Sequence, residues 1–183
     1  YEIMPSLVGS EMCIRDSPNA VLIVKVMTEH GVIQPTIKRL GGILVTGWLT
    51  EEQKLELYDL CDIYLGFSRG GGFELNFLEA LCRGEVVIAA EKGAWTDYLP
   101  KFSLVPCRQV DSVFTPHGAI DAIHDGGGVE VIVEKAVDKA CEVIDNLEEY
   151  RAKVMEHVER HIKPRYTWEA VGRQLAEVVR RYL

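Results

Sequence analysis

Two rhythms of apolar residues alternate along this chain. Short runs at 20–26 (AVLIVKV), 43–46 (ILVT), 62–67 (DIYLGF), 86–90 (VVIAA) and 103–106 read as strands, the first of the buried parallel kind. Between them the spacing turns helical. Ile33, Ile37 and Leu40 give a partial helical face interrupted by Pro35, a helix runs from Thr50 through Leu60, and an amphipathic run starts at about Glu74 and stops at Gly84. Thr50-Glu51-Glu52-Gln53 forms a capping box, with the Thr50 hydroxyl on the N3 amide and Gln53 reaching back. Leu57, Leu60 and Cys61 are expected near the sheet, with Leu55 and Tyr58 flanking, and Leu75, Leu78 and Cys82 are expected to pack on it from the next helix. Residues 110–128 read as irregular. Helices are predicted at 129–146, at 148–163 with Pro164 ending it, and at 168–183 behind a Thr167 cap, with Trp168, Val171, Leu175 and Val178 as the apolar stripe.

Strand and helix alternating in this order predict an α/β fold: a Rossmann-like parallel sheet with flanking helices, right-handed crossovers and a C-terminal helical segment. Ligands of such sheets sit at the carboxyl ends of the strands. Gly47, Ser68 and the three glycines Gly70, Gly71 and Gly72 all fall at those ends.

The chain has 183 residues, 48% of them hydrophobic, enough for one core and one domain. A net charge of −8 argues against a nucleic-acid surface. Five cysteines without a CxxC pair read as reduced thiols of a cytoplasmic protein. No apolar run nears the roughly 18 residues of a membrane span, so peripheral contact with the inner face of a membrane is the most that is expected. Residues 1–17 lack any sustained period, and SLVGSEMCIRDS resembles translated sequencing-adapter read-through. They are expected to be a non-native leader, with the domain occupying 18–183, and Arg15 is given no role. No metal site is expected. His117, His124 and Asp125 read as a surface loop, and His157 and His161, four apart, as part of an exposed charged face.

The candidate chemistry lies in residues 68–90, SRGGGFELNFLEALCRGEVVIAA. Glycines let the backbone approach a ligand closely, and a helix opening from them presents unpaired amides and a positive dipole end, a place for phosphate. Glu79, one turn into that helix, can accept hydrogen bonds from sugar hydroxyls. On spacing alone, an ordinary loop, helix and strand with both glutamates in water stays open.

The run Gly71-Gly72-Phe73-Glu74-Leu75-Asn76-Phe77-Leu78-Glu79-Ala80-Leu81, then Gly84 and Val86-Val87-Ile88, resembles the donor-site signature of GT-B glycosyltransferases. More narrowly it resembles retaining family 4, whose pattern is roughly Glu-Gly-Phe-Gly-Leu-Pro-x-x-Glu-Ala, then Gly-x-Pro-Val-Ile. The resemblance implies that Glu79 binds the ribose hydroxyls and that the backbone at Gly72, Phe73, Glu74 and Leu75 holds the diphosphate and sugar. It also places Gly47 and Trp48 beside the base and Ser68 and Arg69 where the family strand ends in a serine; the charge of Arg69 is expected to add to the positive field beside the phosphates. For Trp48 a rim or core position under the following helix is the alternative, and Lys92 and Asp97 either line the pocket or are solvated.

The sequence departs from that pattern at four positions. Gly71 stands where the first glutamate belongs and Glu74 where glycine belongs, Asn76 replaces proline, and Glu85 precedes Val86 where proline is frequent. No residue is assigned a catalytic role; Glu74 is a candidate sugar contact that compensates for Gly71. What the resemblance implies is the donor half of a hexosyltransferase. The donor is a nucleoside-diphosphate sugar, with no cofactor or metal, and the acceptor is a glycan, lipid or small molecule. The full-length protein transfers the hexose with retention. The N-terminal acceptor domain is expected to be missing here, so that this polypeptide alone binds nucleotide weakly and does not turn over. Two other readings stand beside it: another GT-B enzyme such as a nucleotide-sugar epimerase or a phosphorylase, and a non-catalytic nucleotide-sugar-binding module, which Gly71 favours.

Overall fold

A computed structural model describes residues 20–27, 33–111 and 126–182. Strands β1 (Ile23–Val26) and β2 (Ile43–Thr46) pair in parallel, Ile23 opposite Ile43. A second parallel sheet has the order β3 (Ile63–Gly66), β4 (Val86–Ala90), β5 (Leu104–Val105). Helices α1 (Ile33–Arg39), α2 (Glu51–Asp59) and α3 (Leu75–Cys82) link successive strands from β1 to β4. The α/β expectation is met, with the parallel strands divided between two sheets.

β4 is the centre of the core. All five of its residues are buried, and Phe77, Leu81, Trp95, Val143, Val154 and Val158 pack in the cluster around it. Trp95 closes the far side, its indole N–H donating to the Ala90 carbonyl at 2.6 Å. A strand with β3 and β5 on either side and helices packed against it needs this unbroken apolar run.

The buried face of α3 differs from the expected one. Phe77, Ala80 and Leu81 point inward, while Leu75 is 64% exposed and Cys82 is exposed. Its sequence LNFLEALC carries apolar residues all round, so the periodicity leaves its rotation open. The Phe77 ring decides it by lying against Gly66, where an added Cβ would stand 2.5 Å from the ring. Leu60 likewise departs from expectation. It is 74% exposed, and α2 buries none of its residues. Tyr58 packs against the edge of the core, and polar contacts add to it: the capping box is present as read, and Arg83 from the end of α3 donates through Nε to Asp59 at 2.7 Å.

Beyond β5 the reading needs correction. β6 (Cys107–Val110) and β7 (Gly128–Val131) form an antiparallel pair. β7 thus takes residues expected to open a helix, and α4 (Val133–Asp145) begins after it. Helix α5 (Leu147–His157) passes into a π-helical turn, Val158–Ile162, and then into α6 (Lys163–Tyr166). Pro164 lies in the first turn of α6, directly after the π-helical turn, rather than ending a helix. Thr167 caps α7 (Trp168–Arg180) as expected, accepting from the Ala170 amide at 3.2 Å. Trp168, Val171, Leu175 and Val178 form a stripe on α7 that is exposed.

Cys61, Cys82 and Cys107 carry free thiols, as expected of them. Among the described residues no helix is long and apolar enough to cross a membrane. The leader at 1–17 and the loop residues His117, His124 and Asp125 lie outside the described residues.

Candidate functional site

Phe67 to Glu74 form one continuous loop between β3 and α3. The Ser68 hydroxyl donates to the Gly70 carbonyl at 3.0 Å. The base of the loop is tied to β7. Arg69 accepts the Val129 amide on its carbonyl at 2.8 Å, and its guanidinium donates to Glu130 at 2.5 Å. Arg108 takes the other Glu130 oxygen, and together with Arg69 it holds that carboxyl below the usual range. The charge of Arg69 therefore has a carboxylate partner.

At the top of the loop Glu74 has φ 61°, the only positive φ outside glycine among the described residues. This left-handed residue is the N-cap of α3 and bends the chain into the helix. It gives a backbone reason for the glycine that the resembled signature carries at this point. The Glu74 side chain folds back over Gly71, and a Cβ on Gly71 would collide with its carboxylate. The carboxylate from position 74 thus fills the space that a side chain at 71 would enter.

Glu79 lies one turn on and faces α2. Lys54 donates to its Oε1 at 3.2 Å and the Tyr58 hydroxyl to its Oε2 at 3.2 Å. Its side chain is still 40% exposed. Burial and the Glu79 charge push the Tyr58 hydroxyl pKa up, so it stays a donor. Bonds to Glu51 and Glu79 hold the Lys54 ammonium above the ordinary lysine range. The same helix begins just after Gly47 and Trp48. Gly47 has φ +84° and its amide donates to the Met27 carbonyl at 3.2 Å, while Trp48 is 88% exposed, so the core alternative for this tryptophan fails. Asn76 donates to the Tyr64 hydroxyl at 2.6 Å and fixes the first turn of α3 to β3.

Lys54, Tyr58 and Tyr98 are contacts that the sequence reading missed. Tyr98, buried beyond β4, shares its hydroxyl proton between the Phe73 and Glu74 carbonyls, each at 2.7 Å. No short-range pattern marks it. Lys92 and Asp97 are exposed. His157 and His161 have ring centroids 4.9 Å apart, but Nε2 of His157 lies 2.8 Å from the Tyr98 carbonyl and must carry the hydrogen there. No cluster of three metal-ligating side chains occurs among the described residues. A small cavity of about 140 Å³ lies beside this pair, lined in part by Asp97, Tyr98, Arg165 and Tyr166.

No family model matches the sequence. The chain is 38% identical over 159 residues to "Uncharacterized protein 356" of Sulfolobus islandicus rod-shaped virus 1, a match covering 85% of this chain and 43% of that protein. It is 32% identical over 68 residues to "Putative glycosyltransferase 45" of a Sulfolobus islandicus filamentous virus, covering 37% of this chain and 19% of that protein. The chain thus spans less than half the length of either relative. Among solved structures it is similar to the catalytic domain of cholesterol-alpha-glucosyltransferase from Helicobacter pylori, with a TM-score of 0.59 and 16% identity over 87% of this chain and 90% of that one. At that identity the likeness is one of fold: parallel strands flanked by helices, arranged as in a GT-B glycosyltransferase domain.

Proposed function

We propose that this chain is the donor-binding part of a retaining GT-B glycosyltransferase of the family 4 type. It takes a nucleoside-diphosphate sugar and, in the full-length protein, the hexose passes to an acceptor hydroxyl. The diphosphate lies against the amides that open α3, where the helix dipole offsets its charge without a metal. Glu79 accepts from the ribose hydroxyls, and Trp48 and Gly47 flank the base. As the sugar leaves, negative charge grows on the diphosphate, and fixed amide dipoles there stabilise the leaving group.

One observation carries this reading: the Glu74 carboxylate lies over Gly71 from a left-handed position that suits glycine. The two positions have exchanged residue types relative to the signature, yet a carboxylate remains in the same space. That geometry weakens the case for a non-catalytic module, which rested on Gly71.

Calorimetric titration of the purified chain with UDP, GDP and ADP tests the reading. Weak binding of at least one, lost in Glu79→Ala, is the expected result. No binding of any of the three refutes the donor site. Binding that is unchanged in Glu79→Ala removes Glu79 from it.

A further inference from the structure

The left-handed turn at Glu74 has a strain to explain. A non-glycine residue in this region costs about 1 kcal/mol or more and persists only where its surroundings hold it. The Glu74 carbonyl takes the Phe77 amide at 3.0 Å within the helix start, and one side chain from outside the loop binds the turn as well. The Tyr98 hydroxyl lies 2.7 Å from the Phe73 carbonyl and 2.7 Å from the Glu74 carbonyl, so it grips the peptides on both sides of the turn. Its ring packs on Phe73 at 5.0 Å between centroids and meets Tyr166 at 6.0 Å, and Tyr166 also reaches Phe73 at 5.9 Å. From behind, His157 donates to the Tyr98 carbonyl at 2.8 Å. Burial and the nearby Glu74 charge push the Tyr98 hydroxyl up, which keeps its proton in place for the carbonyls.

We infer that Tyr98 is a positioning residue for the diphosphate: its hydroxyl braces the Phe73–Glu74 turn and so aims the first amides of α3 at the ligand. The inference rests on the donor-site reading above. It goes beyond that reading by making a residue from the turn after β4 responsible for the shape of a loop before α3. The brace replaces what glycine at position 74 would allow by its own conformational freedom.

The test compares wild type, Tyr98→Phe, Glu74→Gly and the double variant by calorimetry. The ligands are UDP, GDP and ADP, with the monophosphate matching whichever binds tightest. Tyr98→Phe keeps the ring and removes both hydrogen bonds. It is expected to weaken the diphosphate about tenfold, the loss of one to two net hydrogen bonds, and to leave the monophosphate within about twofold. Adding Glu74→Gly is expected to recover most of the loss. If Tyr98→Phe alone does not fold, the double variant must fold and bind, and its failure overturns the inference. Unchanged diphosphate affinity in Tyr98→Phe overturns it, as does equal weakening of both nucleotides or no recovery in the double variant. Wild type binding none of the three diphosphates overturns the donor-site reading and this inference together; the other adverse results overturn the inference alone.

Discussion

Lys54 stands 3.2 Å from Glu79, and with the Tyr58 hydroxyl on the other oxygen it fixes both arms of the carboxylate from a neighbouring helix. The pair is partly exposed, so its contribution to folding is small, whereas on the proposed donor site it would orient the carboxylate for the ribose hydroxyls. Glu79→Ala is therefore expected to change the unfolding free energy by less than about 1 kcal/mol. It should weaken nucleoside-diphosphate binding by about tenfold or more. Urea unfolding and calorimetry on the same variant separate the two, and a large stability loss with unchanged binding would make Glu79 a structural residue only.

The exchange between positions 71 and 74 makes its own prediction. Glu74→Gly removes a left-handed glutamate and is expected to stabilise the chain by about 1 kcal/mol. Gly71→Glu alone brings a second carboxylate into the space of the first and is expected to destabilise. Gly71→Glu with Glu74→Gly should fold at least as well as wild type and retain nucleotide-sugar binding. Denaturation midpoints and titration of all three variants decide the matter.

Glu85 makes stability depend on pH. It is 1% exposed, both carboxylate oxygens lack a partner, and burial, reinforced by Asp62 and Asp59 and opposed by Arg151, pushes its pKa up to about 8. The unfolded chain ionises this group near the ordinary value and the folded chain holds its proton, so stability falls as pH rises through that interval and levels off above about 8. Glu85→Gln keeps a neutral side chain of similar shape. It should match wild type near pH 4.5 and exceed it by roughly 1–3 kcal/mol at pH 8.5. Equal stabilities at pH 8.5 would show that the carboxylate finds a partner.

Trp48, 88% exposed, has little packing to lose. Trp48→Ala should leave the unfolding free energy within about 0.5 kcal/mol of wild type. If the base stacks there, the nucleotide quenches wild-type tryptophan emission, and Trp48→Ala loses the quench together with a several-fold part of the affinity. A quench that survives the substitution would place the base elsewhere.

Much of this architecture is legible in the residues, and the misses have physical causes. The ILVT strand, the Thr50 capping box and the glycine loop before α3 are signals written in a few consecutive residues each. The rotation of α3 was not legible, because Phe77 takes its place from Gly66 across the sheet face and not from its own helix. The β6–β7 pair joins segments with a long stretch between them, and cross-strand pairing leaves little trace in either strand alone. Tyr98 escaped for the same reason: its bond is to main-chain carbonyls, which carry no side-chain signature. The exchange of glutamate and glycine was visible as a departure, but its meaning required the left-handed backbone at 74.

The π-turn at Val158–Ile162 lets both of its end residues face the core and delivers Tyr166 against the rings of Phe73 and Tyr98. Each residue of a helix advances the side-chain direction by about 100°. Deleting one residue from this turn would swing Tyr166 round the helix axis and away from the glycine corner, far off in sequence. The indexing of a distant C-terminal helix is thus geared to the mouth of the proposed donor pocket.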